Sequence, residues 1–558
     1  MNWMETYRLW LERVVSEPEL TEELKRVAQD PSAIEDRFYR ELEFGTGGLR
    51  GVLGAGTNRM NVFTVAKATQ GYSNYLKKQA EQPSVAIAYD SRINSTRFAQ
   101  TAATVFAANG IRVHIYPKLM PTPSLSFAVR DIHCDGGIVI TASHNPAKYN
   151  GYKVYGSDGC QITTEVAKAI QQEIDQVDPF TDVCMTEYEA AVQLRQISYI
   201  GEDTVKQYLA AVATASVLPG NIDRNVSIVY TPLNGTGISC VPRCLSEHGF
   251  SNITIPEEQK MPDGNFPTCP FPNPEVRDAL SVGLAWAERT DSDLLLATDP
   301  DCDRVGVAVK GTDGYQLITG NEMGILLLDF VCKMRIANGT MPKHPVAVKT
   351  IVTTPMAAKV AAHYGVELRD VLTGFKFIGE QIGQLEKTGE ADRYVFGFEE
   401  SYGYLSGSFV RDKDAVNASL LICEMFAWYR AQGKSLLDVL AELYETYGYY
   451  ESRLLSFAFE GSAGFARMQG LMNGLRENRP AELAGLRVER SIDYQNDETG
   501  LPKSNVLRYF LENGAEAVVR PSGTEPKLKV YLTAAGESPK VSRQVNDALK
   551  AFFEAWAK

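Results

Sequence analysis

The stretch Gly136-Gly137-Ile138-Val139-Ile140-Thr141-Ala142-Ser143-His144-Asn145-Pro146 joins a short β-branched run to a polar loop. Glycines before the run and an Asn-Pro turn after it are typical of a buried strand with a loop at its end. Ser143 is therefore expected at the C-terminal end of a strand. Because ligands bind at that end of open α/β sheets, the stretch predicts an α/β fold with a serine beside a binding cleft.

Taken alone, this serine also has a structural interpretation, because Ser-His-Asn often only closes a turn. His144 is not expected to act as a triad base for Ser143, since neighbouring residues of an extended chain point to opposite faces. The Gly-x-Ser-x-Gly elbow of α/β hydrolases is also missing from the sequence. A catalytic role for Ser143 therefore depends on further motifs.

A second motif, Thr-Asp-Pro-Asp-Cys-Asp-Arg at 298–304, directly follows the apolar run 294–296. Its alternate carboxylates, Asp299, Asp301 and Asp303, can converge on one hard cation, and Mg²⁺ suits such a set of oxygen ligands. An EF-hand calcium loop is excluded, because its sixth and twelfth positions are Arg304 and Lys310 here. The alternative, an exposed acidic turn, is disfavoured by repulsion among crowded carboxylates.

A third motif lies near the C-terminus and reads Arg-Pro-Ser-Gly-Thr-Glu-Pro-Lys at 520–527. Arginine offers a bidentate fork, glycine lets backbone N–H groups approach an anion, and the hydroxyls add neutral donors. The motif favours a phosphate pocket, with a plain hairpin turn as the alternative.

A fourth motif, Gly-Phe-Glu-Glu-Ser-Tyr-Gly at 397–403, follows the apolar run 394–396. A carboxylate and a hydroxyl beside small residues suit hydrogen bonding to sugar hydroxyls. In isolation a solvated acidic turn would be the better interpretation.

Together the four loops resemble those of the α-D-phosphohexomutase superfamily, in the order phosphoserine, magnesium, sugar and phosphate loop. Phe-Gly-Thr-Gly-Gly-Leu-Arg-Gly at 44–51 resembles the N-terminal motif of that family, with Arg50 as its active-site arginine. The resemblance spans roughly residues 40 to 535. The amino-acid sequence of the sugar loop is most similar to that of the phosphoglucomutase branch. This branch also contains phosphopentomutases and glucose 1,6-bisphosphate synthases.

The resemblance implies an enzyme that carries phosphate on Ser143 and interconverts glucose 1-phosphate and glucose 6-phosphate. It also implies Mg²⁺ as cofactor, with Ser143 and the three aspartates as ligands, and glucose 1,6-bisphosphate as activating intermediate. Small sugar phosphates are the expected partners. Phosphopentomutase, phosphomannomutase and glucose 1,6-bisphosphate synthase activities remain alternatives.

A hydroxyl that attacks phosphorus must lose its proton, so the reaction needs a general base. The candidates are Lys376, Lys153 and His144, and the sequence favours Lys376 and His144 as residues near the site without ranking them. The substrate-binding residues that the resemblance implies are Arg304, Lys153, Glu399, Ser401, Arg520, Ser522, Gly523, Thr524 and Lys527.

Two other functional classes remain as alternatives. A phosphatase of the alkaline type needs several metals with histidine ligands, and the chain has only six scattered histidines. A non-catalytic sugar-phosphate sensor would have no reason to keep Ser143 together with all three aspartates. Both alternatives are less favoured than a mutase.

Composition agrees with an enzyme of small anionic substrates. The net charge of −13 disfavours nucleic acid and membrane surfaces as partners. Nine scattered cysteines without Cys-x-x-Cys pairs indicate packing thiols in a reducing cytoplasm. The charged N-terminus is not a signal peptide, and no apolar run is long enough to span a bilayer. A monomer or homodimer is expected.

The 558 residues predict four domains. Strand runs alternate with helical segments, which indicates three successive α/β domains with mixed or parallel sheets. The last segment is expected to be a smaller C-terminal α+β lid with fewer strands. The active site is expected in a central cleft. Residues 1–40 show helical spacing, with Trp3, Tyr7, Trp10 and Val14 as a buried stripe, and 541–556 predict another helix. Breaks near Gly201, Gly320 and Tyr450 give domains of residues 1–205, 206–320, 321–450 and 451–558.

Overall fold

The computed structural model describes residues 2–45, 47–459, 461–496, 498–522 and 527–558. The chain begins with helices α1 (Trp3–Arg13), α2 (Pro18–Arg26) and α3 (Pro31–Phe38). The predicted stripe is confirmed for Tyr7, Trp10 and Val14, which are buried, whereas Trp3 is only partly buried. The Trp10 ring packs edge-on against Phe38 at 5.7 Å. The same ring packs against Phe63 and Phe180, so these helices join the following region through an aromatic cluster.

The first sheet carries the serine loop. Its strands lie in the order β1-β5-β4-β2-β3-β6. Strands β3 and β4 pair parallel to β2, while β5 pairs antiparallel to β4 and to β1. The elements of this region are β1 (Gly48–Val52), α4 (Val62–Gln79), β2 (Ser84–Tyr89), α5 (Ser95–Ala108), β3 (Arg112–Ile115), α6 (Thr122–Asp131), β4 (Gly136–Ile140), β5 (Tyr149–Gly156), α7 (Thr164–Asp175), α8 (Tyr188–Gln193), β6 (Ile197–Tyr199) and α9 (Glu202–Ala213).

The second sheet carries the aspartate loop, which joins two antiparallel strands, β9 and β10. Its strand order is β11-β10-β9-β7-β8. The elements are β7 (Ile228–Thr231), α10 (Val241–Glu247), β8 (Ile253–Thr254), α11 (Glu257–Lys260), α12 (Ser281–Thr290), β9 (Leu294–Thr298), β10 (Val305–Gly311) and β11 (Gly314–Ile318).

The third sheet carries the predicted sugar loop between the antiparallel strands β14 and β15. Its strand order is β13-β12-β14-β15, with β12 parallel to both β13 and β14. The elements are α13 (Gly320–Ala337), β12 (Val346–Thr350), α14 (Met356–His363), β13 (Glu367–Val371), α15 (Phe375–Lys387), β14 (Tyr394–Glu399), β15 (Gly403–Leu405), α16 (Ala415–Arg430) and α17 (Leu436–Tyr447).

The C-terminal region forms an antiparallel sheet in the order β16-β21-β20-β19-β18-β17. The elements are β16 (Tyr449–Ala458), α18 (Gly461–Glu477), β17 (Glu482–Leu483), β18 (Leu486–Asp493), β19 (Leu507–Leu511), β20 (Glu516–Pro521), β21 (Lys527–Gly536) and α19 (Pro539–Trp556). The expectation of fewer strands here was wrong, because the described residues of this region alone give six strands. Strands such as β16 are half exposed and mix polar with apolar residues, which hides the apolar run that reveals a buried strand.

The fold class is confirmed: three α/β layers are followed by a C-terminal α+β region. An apolar cluster joins the third sheet to the C-terminal sheet, and it includes Ile351, Leu372, Ile492 and Val518. Among the described residues, no helix is long and apolar enough to cross a membrane. The chain therefore brings the loops of three α/β layers and one mainly antiparallel sheet around a common cleft.

Candidate active site

The serine loop connects β4 to β5 and holds Ser143 in a left-handed conformation with φ of 52°. The side chain is buried, at 3% exposure, and its Oγ donates a hydrogen bond of 2.8 Å to Asp299 Oδ2. Ser143 Oγ also lies 3.2 Å from His144 Nδ1. The expectation that His144 points away from Ser143 was therefore wrong, because the positive φ breaks the alternation of an extended chain.

The three aspartates follow β9 and are buried together, with ligand oxygens within 4.8 Å of one another. Asp299 Oδ1 accepts hydrogen bonds from the backbone N–H groups of Asp303 and Arg304, at 3.1 and 3.0 Å. Asp301 Oδ1 and Asp303 Oδ1 are buried and have no hydrogen-bond partner in the described part of the chain. Buried carboxylate oxygens without a partner are costly, so this donor set fits a hard divalent cation such as Mg²⁺.

Two lysines partly balance this charge. Lys153 Nζ lies 2.8 Å from Asp301 Oδ2 and 3.2 Å from Asp303 Oδ2. Lys413 Nζ lies 2.9 Å from Asp303 Oδ2. Each lysine comes from a different layer, β5 for Lys153 and the loop after β15 for Lys413. The aspartate loop is thus held between the first and third sheets by ion pairs.

The pKa values of the aspartates diverge. Burial, followed by repulsion from Asp301 and Asp303, raises the pKa of Asp299 well above its usual range. Burial would also raise the pKa of Asp301, but attraction to Lys153 outweighs it and holds that pKa below its usual range. The same attraction outweighs burial at Lys153 and raises its pKa. Lys153 is therefore a charged partner of the aspartates and a poor general base.

A cleft of about 1180 Å³ lies beside these loops. Its walls come from all four sheets or their loops. The predicted site residues along it are Arg50, His144, Arg304, Ser401 and Lys527. The cleft thus places the arginine of the N-terminal motif, the serine loop, the metal loop, the sugar loop and the predicted phosphate loop along one space.

Arg304 is the cationic end of the aspartate motif. Its Nη1 binds Glu275 Oε1 at 2.7 Å, and its Nε lies 3.8 Å from Asp303 Oδ1. Glu275 and Arg304 both line the cleft. Arg304 is therefore fixed by two carboxylates at the edge of the space that a substrate would occupy.

The predicted sugar loop is split between the cleft wall and the interior. Ser401 and Glu400 line the cleft, whereas Glu399 is 5% exposed. Burial raises the pKa of Glu399 to about 7, although the nearby Lys413 and Arg304 lower it. Glu400 Oε2 accepts hydrogen bonds from Thr350 and Thr353 at 3.1 and 3.2 Å, so it is already engaged within the third sheet.

The C-terminal phosphate motif lies against the third sheet. The Arg520 guanidinium donates to Thr373 Oγ1, and the backbone N–H of Ser522 donates to the Lys527 carbonyl at 2.7 Å. Gly523 and Thr524 lie outside the described residues. Thr373 lies two residues before the start of α15, whose first turn holds Lys376, so Arg520 contacts the chain just ahead of one candidate base.

The remaining base candidates differ in position and basicity. Lys376 lies in the first turn of α15, with Nζ 5.2 Å from the Phe377 ring centre, and burial lowers its pKa. It does not belong to the lining of the cleft in the described residues. Burial also lowers the pKa of His144, and the charges of Arg304 and Arg50 lower it further. His144 is therefore neutral near pH 7 and contacts Ser143 directly.

Sequence reasoning missed several polar residues that contact the site. Lys413 lies in a charged run, Arg-Asp-Lys-Asp at 411–414, that is easily mistaken for a solvated turn. Thr122 Oγ1 donates to Asp301 Oδ2 at 3.1 Å, and nothing in its local sequence marks it. Glu275 lies in Phe-Pro-Asn-Pro-Glu at 271–275, where clustered prolines signal only a rigid loop.

Comparison with known proteins is consistent with this site. Family models described as phosphoglucomutase/phosphomannomutase match the chain in order: alpha/beta/alpha domain I at residues 41–180, domain II at 206–314, domain III at 319–447 and the C-terminal domain at 471–551. The chain belongs to this family. It is therefore a member of an enzyme family of mutases, and the resemblance seen in the four loops is confirmed.

Individual relatives support the same assignment. The chain is 37% identical over 544 residues to a phosphoglucomutase of Staphylococcus aureus strain USA300. The matched region covers 94% of this chain and 95% of the relative. A phosphoglucomutase/phosphomannomutase family protein from Burkholderia thailandensis has the same fold, with a TM-score of 0.68, 20% identity and coverage of 92% of this chain and 97% of that chain. The open form of parafusin, a phosphoglucomutase from Paramecium, also has a TM-score of 0.68, with 17% identity and coverage of 93% and 96%.

Proposed function

We propose that this chain is a phosphoglucomutase that interconverts glucose 1-phosphate and glucose 6-phosphate through a phosphoserine at Ser143 and a glucose 1,6-bisphosphate intermediate. The observation that carries the proposal is the 2.8 Å contact between Ser143 Oγ and Asp299 Oδ2, within a buried group of three aspartates. A serine hydroxyl at a metal-type site beside a cationic cleft is suited to phosphoryl transfer.

The metal that this chemistry needs is Mg²⁺, held by Asp299, Asp301 and Asp303 together with Ser143 or its phosphate. When bound, it neutralises charge on the transferring phosphoryl group. The two buried carboxylate oxygens without partners support this assignment. Lys153 and Lys413 would then supply the remaining positive charge.

In the first half-reaction, a free hydroxyl oxygen of the sugar monophosphate forms a bond to the phosphorus on Ser143. The bond between that phosphorus and Ser143 Oγ breaks as the new bond forms. The proton of the sugar hydroxyl moves to a general base, and Ser143 Oγ takes up a proton. That proton is the one that the sugar hydroxyl gave to the base, and the neutral imidazole of His144, whose Nδ1 lies 3.2 Å from Oγ, is placed to relay it.

In the second half-reaction, the bisphosphate has reoriented and presents its other phosphate to Ser143. Oγ forms the new bond to phosphorus and loses its proton to His144, while the sugar oxygen regains a proton from the base. Lys376 is the proposed base for the sugar, because burial lowers its pKa and Arg520 of the proposed phosphate loop binds Thr373, three residues before it. His144 remains the alternative, since it touches the reacting serine.

Substrate recognition is assigned to three groups. Arg50 and Arg304 line the cleft on the side of the serine and metal loops. Glu399 and Ser401 would bind sugar hydroxyls, while Arg520, Ser522, Gly523, Thr524 and Lys527 would bind the phosphate that is not transferred. Arginine and lysine suit this second task because phosphate is recognised by charge-assisted hydrogen bonds.

The exclusion of water decides whether such an enzyme acts as a mutase or as a phosphatase, because water competes with the sugar hydroxyl. The contact of Arg520 with Thr373 supports closure of the C-terminal region onto the third sheet. A closed cleft would hold the bisphosphate while it reorients. All nine cysteines are free thiols, which suits the proposed reducing cytoplasm.

The experiment that tests this proposal compares the specificity constants for glucose 1-phosphate, mannose 1-phosphate and ribose 1-phosphate, each with catalytic glucose 1,6-bisphosphate. Glucose 1-phosphate should have the highest value, with mannose 1-phosphate lower because one hydroxyl changes orientation. A higher value for ribose 1-phosphate would make the enzyme a phosphopentomutase. Net formation of glucose 1,6-bisphosphate from a phosphoryl donor would instead favour a synthase.

A further inference from the structure

The Arg92 side chain lies fully buried beneath the serine loop, at 0% exposure. Its Nη1 donates hydrogen bonds of 3.0 Å to two backbone carbonyls, its Nη2 donates to two more, and its Nε lies 3.4 Å from Asp90 Oδ2. The four carbonyls belong to Ser143, Asn145, Pro146 and Tyr149. Both Nη atoms thus donate only to the serine loop, while Nε is ion-paired with Asp90 and makes no hydrogen bond in the described part of the chain.

The loop needs such support because Ser143 adopts a φ of 52°, which is unfavourable for a residue with a side chain. In this conformation the Ser143 carbonyl faces Arg92 while Oγ faces Asp299. A backbone in a sparsely populated region persists only when its surroundings fix it. Arg92 provides contacts at Ser143 itself and, C-terminal to it, at Asn145, Pro146 and Tyr149.

Arg92 also joins the first sheet to the segment that precedes the metal loop. Its guanidinium carbon lies 5.1 Å from the centre of the Phe266 ring, and its backbone pairs with that of Gly264 in an isolated β-bridge. A Cβ atom at Gly264 would lie 2.4 Å from the Ile93 backbone nitrogen, so the backbones of these two segments approach closely. Phe266 is itself in a left-handed conformation, with φ of 47°.

We propose that Arg92 is a positioning residue that fixes the Ser143 loop against the second sheet, so that Oγ stays directed at the aspartate site. The inference rests on the proposed function, since it gives Ser143 a reason to be held. Arg92 does not contact the cleft and acts only through the backbone of the serine loop. Lysine cannot replace it, because an ammonium has three donors and no planar fork.

The first test is Arg92→Lys, with Arg476→Lys as matched control. Arg476 is also a mostly buried arginine, paired with Asp493 in the C-terminal region. Misplacement of a nucleophile by about 1 Å costs on the order of 100-fold in rate, so kcat of Arg92→Lys should fall about 100-fold while KM changes less than about threefold. The control should keep kcat. Equal kcat values for Arg92→Lys and the parent enzyme would overturn the inference.

Chemical rescue separates positioning from general damage. Arg92→Ala leaves space for a free guanidinium ion, and millimolar guanidinium should restore part of kcat, whereas equal concentrations of sodium or methylammonium chloride should not. Guanidinium should give no such gain with Arg476→Ala. Rescue that is absent for Arg92→Ala, or equal for both variants, contradicts a positioning role.

A second pair of variants tests the positioning role of Arg92 if the Arg92 variants do not fold. Phe266 and Phe250 are both fully buried, and only Phe266 lies over the Arg92 guanidinium. Phe266→Leu should lower kcat about threefold to tenfold and leave KM unchanged. This factor corresponds to the loss of one cation–π contact. Phe250→Leu should lower the unfolding temperature without this loss of kcat. Equal effects of the two variants on kcat would overturn the inference.

The proposed function is tested in the same assays by the parent enzyme. If the parent lacks mutase turnover, the proposed function fails. If the parent turns over and Arg92→Lys does so at the same kcat, the function stands and the positioning role fails.

Discussion

Ser143 Oγ donates a hydrogen bond of 2.8 Å to Asp299 Oδ2, and these two residues come from different sheets of the chain. Ser143 follows β4 of the first sheet and Asp299 follows β9 of the second. The contact therefore forms only when the two layers pack together. It places a serine hydroxyl at a group of carboxylates that are suited to a metal ion.

Asp301→Asn should abolish most turnover, because it replaces one of the three proposed carboxylate ligands by a neutral amide. Loss of a residue that only hydrogen-bonds to a metal ligand lowers metal affinity or activity by up to about 100-fold. A change to a ligand itself should lower activity by at least as much. Asp291→Asn is the control, since Asp291 is an exposed carboxylate paired with Lys310 in the same region. Chelation should likewise abolish turnover of the parent enzyme, and Mg²⁺ should restore it, with partial replacement by Mn²⁺. Full turnover of the chelated enzyme would contradict the metal assignment.

Lys413→Met should destabilise the protein, because it leaves Asp303 and Asp412 buried with less compensating charge. Breaking a buried ion pair costs about 3–5 kcal/mol, and Mg²⁺ should restore part of that loss by binding the aspartates. The measurement is the unfolding temperature with and without Mg²⁺, compared with Lys434→Met, which loses a partly exposed pair with Glu442. An unfolding temperature of Lys413→Met that matches the parent in the absence of metal would refute this role.

Much of this arrangement could be predicted from the chain itself. The strand 294–298 and the serine loop after β4 are local features, since apolar runs end in polar turns. The motifs therefore indicated the fold class and the family. The domain boundaries near Gly201, Gly320 and Tyr450, and the oligomeric state, stay predictions.

Other features depend on contacts between distant segments. The orientation of His144 toward Ser143 follows from a positive φ that Arg92 supports from 51 positions earlier in the chain. Lys413, from the third layer, forms an ion pair with Asp303 of the second layer. Half-exposed strands such as β16 carry no long apolar run. Sequence patterns report local burial, so such long-range polar contacts stay hidden until the sheets are packed.

The pH dependence should report Glu399, whose pKa burial raises to about 7. A carboxylate accepts hydrogen bonds from sugar hydroxyls best when ionised, so kcat/KM for glucose 1-phosphate should rise with pH through about 7 and level off above it. Glu399→Gln should lower kcat/KM and remove that rise. The exposed Glu390→Gln should keep the parent profile. A Glu399→Gln enzyme with the parent profile would show that another group titrates.

Arg520→Ala should raise KM for glucose 1-phosphate and increase the ratio of phosphate released to sugar isomerised. The first effect follows from a lost contact to the phosphate that is not transferred, and the second from looser closure over the cleft. Arg490→Ala, an exposed arginine over the Phe510 ring of the same sheet, is the control. If both KM and the release ratio of Arg520→Ala equal those of the control, the loop has another role.

The most direct test of the account is the fate of phosphate on Ser143. The purified enzyme, treated with isotopically labelled glucose 1,6-bisphosphate, should carry one labelled phosphate by intact mass, and peptide analysis should place it on Ser143. Addition of unlabelled glucose 1-phosphate should then transfer the label to sugar, while Ser143→Ala should acquire no label and show no turnover despite normal folding. Full mutase turnover by Ser143→Ala, or label on another residue that transfers to sugar, would contradict the central claim.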